Sequence, residues 1–268
     1  MTYSNKKCIL ITGASGGMGA AAVKHFSEAG YRIFALDIRE PEKTEGVTYV
    51  FCDVTSEESV KGAFLSVKEE CDGLFAIIHF AGVYMLDSLV EIATERFHRI
   101  FDINLNGVFL INKIFLPLLS QGSRIIITTS ELAPLDPLPF TGIYAVSKAA
   151  LDKYAYSLKM ELQLLGIEVS VLRAGAVDTG MLGVSTDALD RFSENTRLYS
   201  YNAKRFKGIV NRVEARCVAP AKIARKTEKI LEKSKPKFAY NINRNPLLLL
   251  LNVLPKRTQL WIIKRILK

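Results

Sequence analysis

The sequence predicts an α/β chain: one domain built on a doubly wound parallel sheet, followed by a helical extension. Three observations carry that prediction. Short apolar, β-branched runs alternate with helical stretches, a glycine-rich turn joins the first run to the first helix, and an acid closes the second run. A chain of 268 residues is long enough for a single α/β domain with a full core.

The elements follow in order. Cys8-Ile9-Leu10-Ile11-Thr12 has the continuous apolar character of a strand buried on both faces. It leads into Gly13-Ala14-Ser15-Gly16-Gly17-Met18-Gly19 and then a helical stretch from Ala20. Strand, glycine turn and helix N-terminus form a phosphate cradle, because free backbone N–H groups and the helix dipole both favour an anion. A second strand, 31–36, ends at Asp37, 18 residues after Gly19. A carboxylate there accepts hydrogen bonds from an adenosine ribose and repels a 2′-phosphate, which favours NAD over NADP, with Arg39 as a counterweight. Further strands are predicted at 48–52, 74–80, 124–129 and 167–172. The carboxyl ends of such strands gather the ligand site, where the glycine loop, Ser130 and Gly175 would meet.

Tyr144 and Lys148 stand four residues apart on a predicted helix and so share a face. An ammonium beside a phenol favours the phenolate and lowers a pKa that is ordinarily near about 10, which would fit Tyr144 for general acid–base work.

Across about residues 8 to 240 these landmarks resemble the short-chain dehydrogenase/reductase family, with its Rossmann-type fold, in the single-domain form. The resemblance implies an NAD(H)-dependent oxidoreductase. Thr12-Gly13-x-x-x-Gly17-x-Gly19 matches the cofactor loop, bringing in Gly13, Ser15, Gly16, Gly17, Met18 and Gly19. Asp53 and Val54 fall where the family contacts adenine, Ala81 and Gly82 follow the fourth strand, and Gly175, Val177 and Thr179 fall toward the nicotinamide. Asn104, Ser130, Tyr144 and Lys148 match the catalytic tetrad, the last two also touching the cofactor. Ser130 is preferred to Thr129, which should point to the opposite side of the strand. Two departures stand out: Phe80 replaces the family's asparagine before Ala81-Gly82, and Ala174 replaces its proline before Gly175, so a looser turn is expected there.

The resemblance further implies a mobile substrate lid at about 180–215, whose Met181, Leu182, Leu198, Tyr199 and Tyr201 suit a bulky apolar molecule. The expected substrate is a small hydrophobic secondary alcohol or ketone, hydroxysteroid-like by preference, as in the family's steroid and retinol dehydrogenases. Rival readings are a 3-oxoacyl-thioester reductase, which would want NADPH, and a non-catalytic dinucleotide-sensing protein on the same fold. The helical stretches 95–120 and 144–165 correspond to those that pair family members into homodimers or homotetramers.

Charge is distributed unevenly. From residue 203 onward there are 18 Lys and Arg against 3 Asp and Glu, in a chain whose net charge is +9. Nucleic acid is excluded as an expectation, since neither an aromatic platform nor a recognised motif accompanies the charge. Residues 1–240 are assigned to the domain and 241–268 to an extension in which a leucine run lies between Pro246 and Pro255, followed by basic residues around Trp261. Eight residues are too few to span a bilayer, which needs about 20. The extension therefore either caps the core or substrate pocket or rests peripherally on a membrane surface. Residues 1–7 lead into an apolar run too short for a signal-peptide core. Scattered cysteines and histidines show no metal-ligand spacing, and free buried thiols fit a reducing, cytoplasmic setting.

Overall fold

The computed structural model describes residues 6–39, 44–213 and 217–268, with the backbone alone at 181–186, 212 and 213. Seven parallel strands form one sheet in the order β3-β2-β1-β4-β5-β6-β7. They are β1 (Cys8–Thr12), β2 (Arg32–Asp37), β3 (Val47–Phe51), β4 (Ala76–His79), β5 (Arg124–Ser130), β6 (Glu168–Ala174) and β7 (Ala239–Ile242). The expected doubly wound sheet is therefore present, with strand ends within a few residues of those read from the sequence.

Alternating side chains divide the core. Ile9 and Ile11 face one side of the sheet, where Val23 and Phe26 of α1 (Gly17–Glu28) and Ile223 and Ile230 of α8 (Pro220–Leu231) cover them. Leu10 faces the other side, against Val60 and Val67 of α2 (Glu57–Glu70) and Ile111 and Phe115 of α4 (Gly107–Phe115). Helix α5 (Gly142–Leu162) continues that second layer over Ile125, Ile127, Val169 and Val171. Burial on both faces explains why the strands read as unbroken apolar runs.

The stretch Thr94–Leu118 combines α3 (Thr94–Phe101), a π-helical turn (Asp102–Asn106), α4 and a 3-10 turn. Its length and mean hydropathy of 1.2 would suit a membrane span. Instead, Ile100, Asn104, Val108, Ile111 and Phe115 are buried within the domain, as in a core helix.

Helices α6 (Gly180–Asn195) and α7 (Ser200–Val213) occupy the predicted lid. Leu189, Phe192, Ala203 and Phe206 pack there with Leu86, Phe140 and Tyr199. The side chains of Met181 and Leu182, expected to contribute, lie outside the described residues. After β7, α9 (Pro246–Val253) and α10 (Lys256–Leu267) follow. Helix α10 buries Gln259 and Leu267, the latter in the lid cluster, whereas α9 buries none of its leucines fully.

Candidate active site

The glycine loop is shaped by contacts that exclude side chains. Gly13 has φ +68°, and a Cβ there would lie 2.5 Å from the Ala81 backbone nitrogen. A Cβ on Gly19 would fall 2.0 Å from the Gly13 carbonyl oxygen, so loop and helix meet only as glycines. The residues around the loop line a cleft of about 820 Å³ that runs past Asp37, Asp53, Val54, Ala81, Gly82 and Thr179. Its size falls within the roughly 300–1,000 Å³ of small-molecule sites. Predicted cofactor residues at or beyond five separate strand ends thus converge on one cavity, at the edge where the chain winding reverses beside β1.

Asp37 closes β2, and its carboxylate accepts the N–H of Ser15 at 2.9 Å and of Arg39 at 3.0 Å. The acid is thereby fixed at the rim of the glycine loop, with the Arg39 guanidinium 3.9 Å away. Asp53 accepts the Thr55 backbone N–H and hydroxyl, at 2.9 and 2.7 Å, which holds its carboxyl below the ordinary carboxylate range.

Asn104 sits in the π-helical turn, fully buried. Its side chain accepts the Val83 N–H at 2.8 Å and donates to the Val83 carbonyl at 3.0 Å and to Ser147 Oγ at 3.1 Å. The extra residue of the π turn supplies the local widening that lets this amide face the end of β4. A Cβ on Gly82 would lie 3.2 Å from Asn104 Oδ1 and 3.4 Å from Lys148 Nζ, so the glycine brings cleft, amide and ammonium together.

Ser130 ends β5, where its Oγ accepts the Leu132 N–H at 3.2 Å, and its hydroxyl favours the ionised form of the Tyr144 phenol at the start of α5. Thr129 points the other way, to Asp152 at 3.3 Å, as strand alternation required. Lys148 Nζ lies 5.9 Å from the Tyr144 ring centroid and donates to the Thr128 carbonyl at 3.3 Å. The four expected catalytic residues therefore meet at the carboxyl end of the sheet, beside the cleft.

One electrostatic expectation is corrected. Lys148 does not bring the Tyr144 pKa down here; burial pushes the phenol up to about 12, opposed by the Ser130 hydrogen bond and reinforced by Tyr84 and Glu131. Burial also draws the Lys148 ammonium down to about 8. Desolvation penalises both charged forms and outweighs their proximity.

The two sequence departures prove well accommodated. Phe80 places its ring in the core, and its backbone N–H still donates to Thr12 O at 3.0 Å. Gly175 is not in a loose turn: its N–H donates to Ile242 O at 2.9 Å, and a Cβ would come within 1.9 Å of Asn243 O. Val177 pairs with Val218 as an isolated bridge, and Thr179 lies against Gly17, where a Cβ would meet it at 2.7 Å.

Three residues escaped the sequence reading. Tyr84 stacks obliquely on Tyr144 with ring centroids 4.8 Å apart. Glu131, directly after Ser130, is buried, and burial raises its carboxyl pKa. Phe140 holds a left-handed φ of 67° while its ring packs on Phe192, Tyr199 and Phe206. A bulky residue there is a true backbone outlier, and its only advance signal was its position in the loop between Ser130 and Tyr144.

Comparison with known proteins agrees with the geometry. Residues 7–190 match the short chain dehydrogenase family. Mouse estradiol 17-beta-dehydrogenase 2 is 30% identical over 210 residues, covering 71% of this chain and 55% of that protein. The NADPH-dependent 1-acyldihydroxyacetone phosphate reductase of Schizosaccharomyces pombe is 31% identical over 207 residues, covering 73% and 69%. A short-chain dehydrogenase from Streptomyces avermitilis shares the fold with a TM-score of 0.79 at 18% identity, over 98% of this chain and 97% of that one. The chain spans about half the length of the mouse and rat estradiol dehydrogenases it matches. This chain belongs to the short-chain dehydrogenase/reductase family, a family of oxidoreductases that bind a nicotinamide dinucleotide.

Proposed function

We propose that this chain is an NAD(H)-dependent oxidoreductase interconverting a hydrophobic secondary alcohol and its ketone, with hydroxysteroids the preferred class. The observation that carries the reading is convergence: Ser130, Tyr144, Lys148 and Asn104 meet between the glycine cleft and the apolar lid cluster of Phe140, Leu189, Phe192 and Phe206. The likeness to the mouse estradiol dehydrogenase supports the substrate class.

A nicotinamide dinucleotide bound in the cleft supplies the hydride donor or acceptor. The glycine loop and the α1 N-terminus would hold its pyrophosphate, and Asp37 and Asp53 its adenosine end. Tyr144 handles the proton. In the reductive direction its phenol, protonated at neutral pH by virtue of its high pKa, donates to the ketone oxygen; in the oxidative direction the phenolate removes the hydroxyl proton. Ser130, whose hydroxyl acts on the Tyr144 phenol, holds the substrate oxygen beside it. Lys148 would hold the dinucleotide ribose, while Asn104 fixes the Val83 backbone and anchors a proton path from Lys148.

Arg39 beside Asp37, together with the NADPH-dependent relative from fission yeast, makes NADPH the rival cofactor. The test is turnover of a panel of steroid, aliphatic and thioester ketones with NADH and with NADPH. Reduction of hydrophobic ketones with NADH is the expected result. Thioester turnover with NADPH would favour the 3-oxoacyl-thioester reductase, and binding without turnover the sensing protein.

A further inference from the structure

The outer face of α10 carries Arg257, Leu260, Trp261, Lys264 and Lys268, at i, i+3, i+4, i+7 and i+11, a single stripe along the helix. Leu260 and Trp261 are 68% and 64% exposed, while Gln259 and Leu267 turn inward. Helix α9 adds Leu250 and Val253, 65% and 83% exposed. These side chains complete no core, and they stand among cations. Lys256 pairs with Asp136, leaving Arg257, Lys264, Arg265 and Lys268 around the apolar stripe, and no acidic residue follows Glu232 in the sequence.

We propose that α9 and α10 form a peripheral docking surface for an anionic lipid bilayer. Charge complementarity selects this occupant. Each Lys or Arg near an anionic surface adds attraction, tryptophan favours the headgroup boundary, and leucine and valine insert shallowly beneath it. At 8 and 12 residues, neither helix spans the bilayer's apolar layer; they lie on it. The surface is also tied to the active-site loop. Asp136, between Ser130 and Tyr144, donates its N–H to Asn252 Oδ1 at 2.6 Å and accepts from Gln259 Nε2 at 3.0 Å. Leu267 packs in the lid cluster, and its carbonyl accepts from Asn202 at 2.7 Å. Docking therefore sets the lid close to the bilayer. That last consequence serves catalysis if the proposed apolar substrate is correct, but the docking itself is independent of activity.

Trp261 is the chain's one tryptophan, so tryptophan emission reports on this stripe alone. The experiment adds vesicles of phosphatidylcholine, with and without roughly one-third phosphatidylserine, to the full chain at low salt. Expected are a blue shift with the anionic vesicles, quenching by brominated lipid, and reversal as added salt shortens the screening length. The double variant K264E/K268E should bind at least about tenfold more weakly, with an unchanged circular dichroism spectrum and melting temperature, since both side chains are exposed. The proposal is overturned by the absence of a shift with anionic vesicles, or by equal binding of the charge-reversed variant. It is equally overturned by a blue shift that grows with protein concentration in the absence of lipid, which would assign the face to a second copy of the chain.

Discussion

The carboxylate of Glu131 accepts the backbone N–H of Asn245 at 2.6 Å, joining the residue after Ser130 to the N-cap of α9. Its other oxygen lies where a Cβ on Gly175 would come within 3.0 Å, so one buried acid touches the ends of β5 and β6 and the start of the extension. Removing it as Glu131→Ala should strand the Asn245 donor, at a cost of about 1–3 kcal/mol. Glu131→Gln keeps a carbonyl acceptor and should restore most of the melting temperature. Burial raises the folded pKa of Glu131, so the folded chain binds its proton more tightly than the unfolded one. Its contribution to stability is then full below the unfolded value and is lost as pH rises through the folded one. Thermal melts against pH should show that slope in the parent chain and lose it in Glu131→Gln.

Tyr144→Phe removes the hydroxyl that exchanges the proton with the substrate oxygen in the proposed mechanism. Turnover should fall by about 10² to 10⁴, with dinucleotide affinity changed little. Steady-state kinetics and a binding titration decide the matter; near-parent turnover would sink the mechanism.

Lys148 is held at about 8 in the folded chain against 10.5 when free. Between those values the unfolded chain binds more protons, so stability rises with pH across that window and the buried ammonium costs stability below it. Lys148→Met should accordingly melt higher at pH 7, by roughly 2–4 °C for each kcal/mol relieved, and the advantage should shrink toward pH 10. The same variant should bind NADH more weakly. A variant that melts lower at every pH would show that the ammonium stabilises the fold.

Asp37 is fixed at the cleft rim by Ser15 and Arg39. Wild-type kcat/KM should favour NADH, and Asp37→Ala should narrow the gap by removing repulsion of the 2′-phosphate. A wild-type preference for NADPH would hand the selection to Arg39.

Phe97, Phe109 and Leu116 on the Thr94–Leu118 stretch, with Val146, Tyr156 and Met160 on α5, leave large apolar side chains exposed. Self-association through these helices would cover them, and light scattering at micromolar concentration should report a dimer or tetramer. Phe109→Glu should shift that population toward monomer; a parent chain that is monomeric throughout would refute the expectation.

What was legible in the sequence was what is local. Strands buried on both faces must be continuously apolar, so Cys8–Thr12 and Arg124–Ser130 stood out without any knowledge of their partners. The glycine loop was legible because Gly13 and Gly19 answer to steric demands within one turn, and the Tyr144–Lys148 pair because one helical turn sets their spacing. Only the tertiary structure decided the rest. The phenol's pKa rises chiefly because Tyr144 is buried, with Tyr84, sixty positions away in the chain, adding to the rise, and desolvation is a property of surroundings that spacing does not encode. The tie from Glu131 to Asn245, the left-handed backbone at Phe140 and the division of the extension into a packed face and an exposed one likewise arise from long-range contacts. Those contacts exist only once the sheet has brought distant segments together.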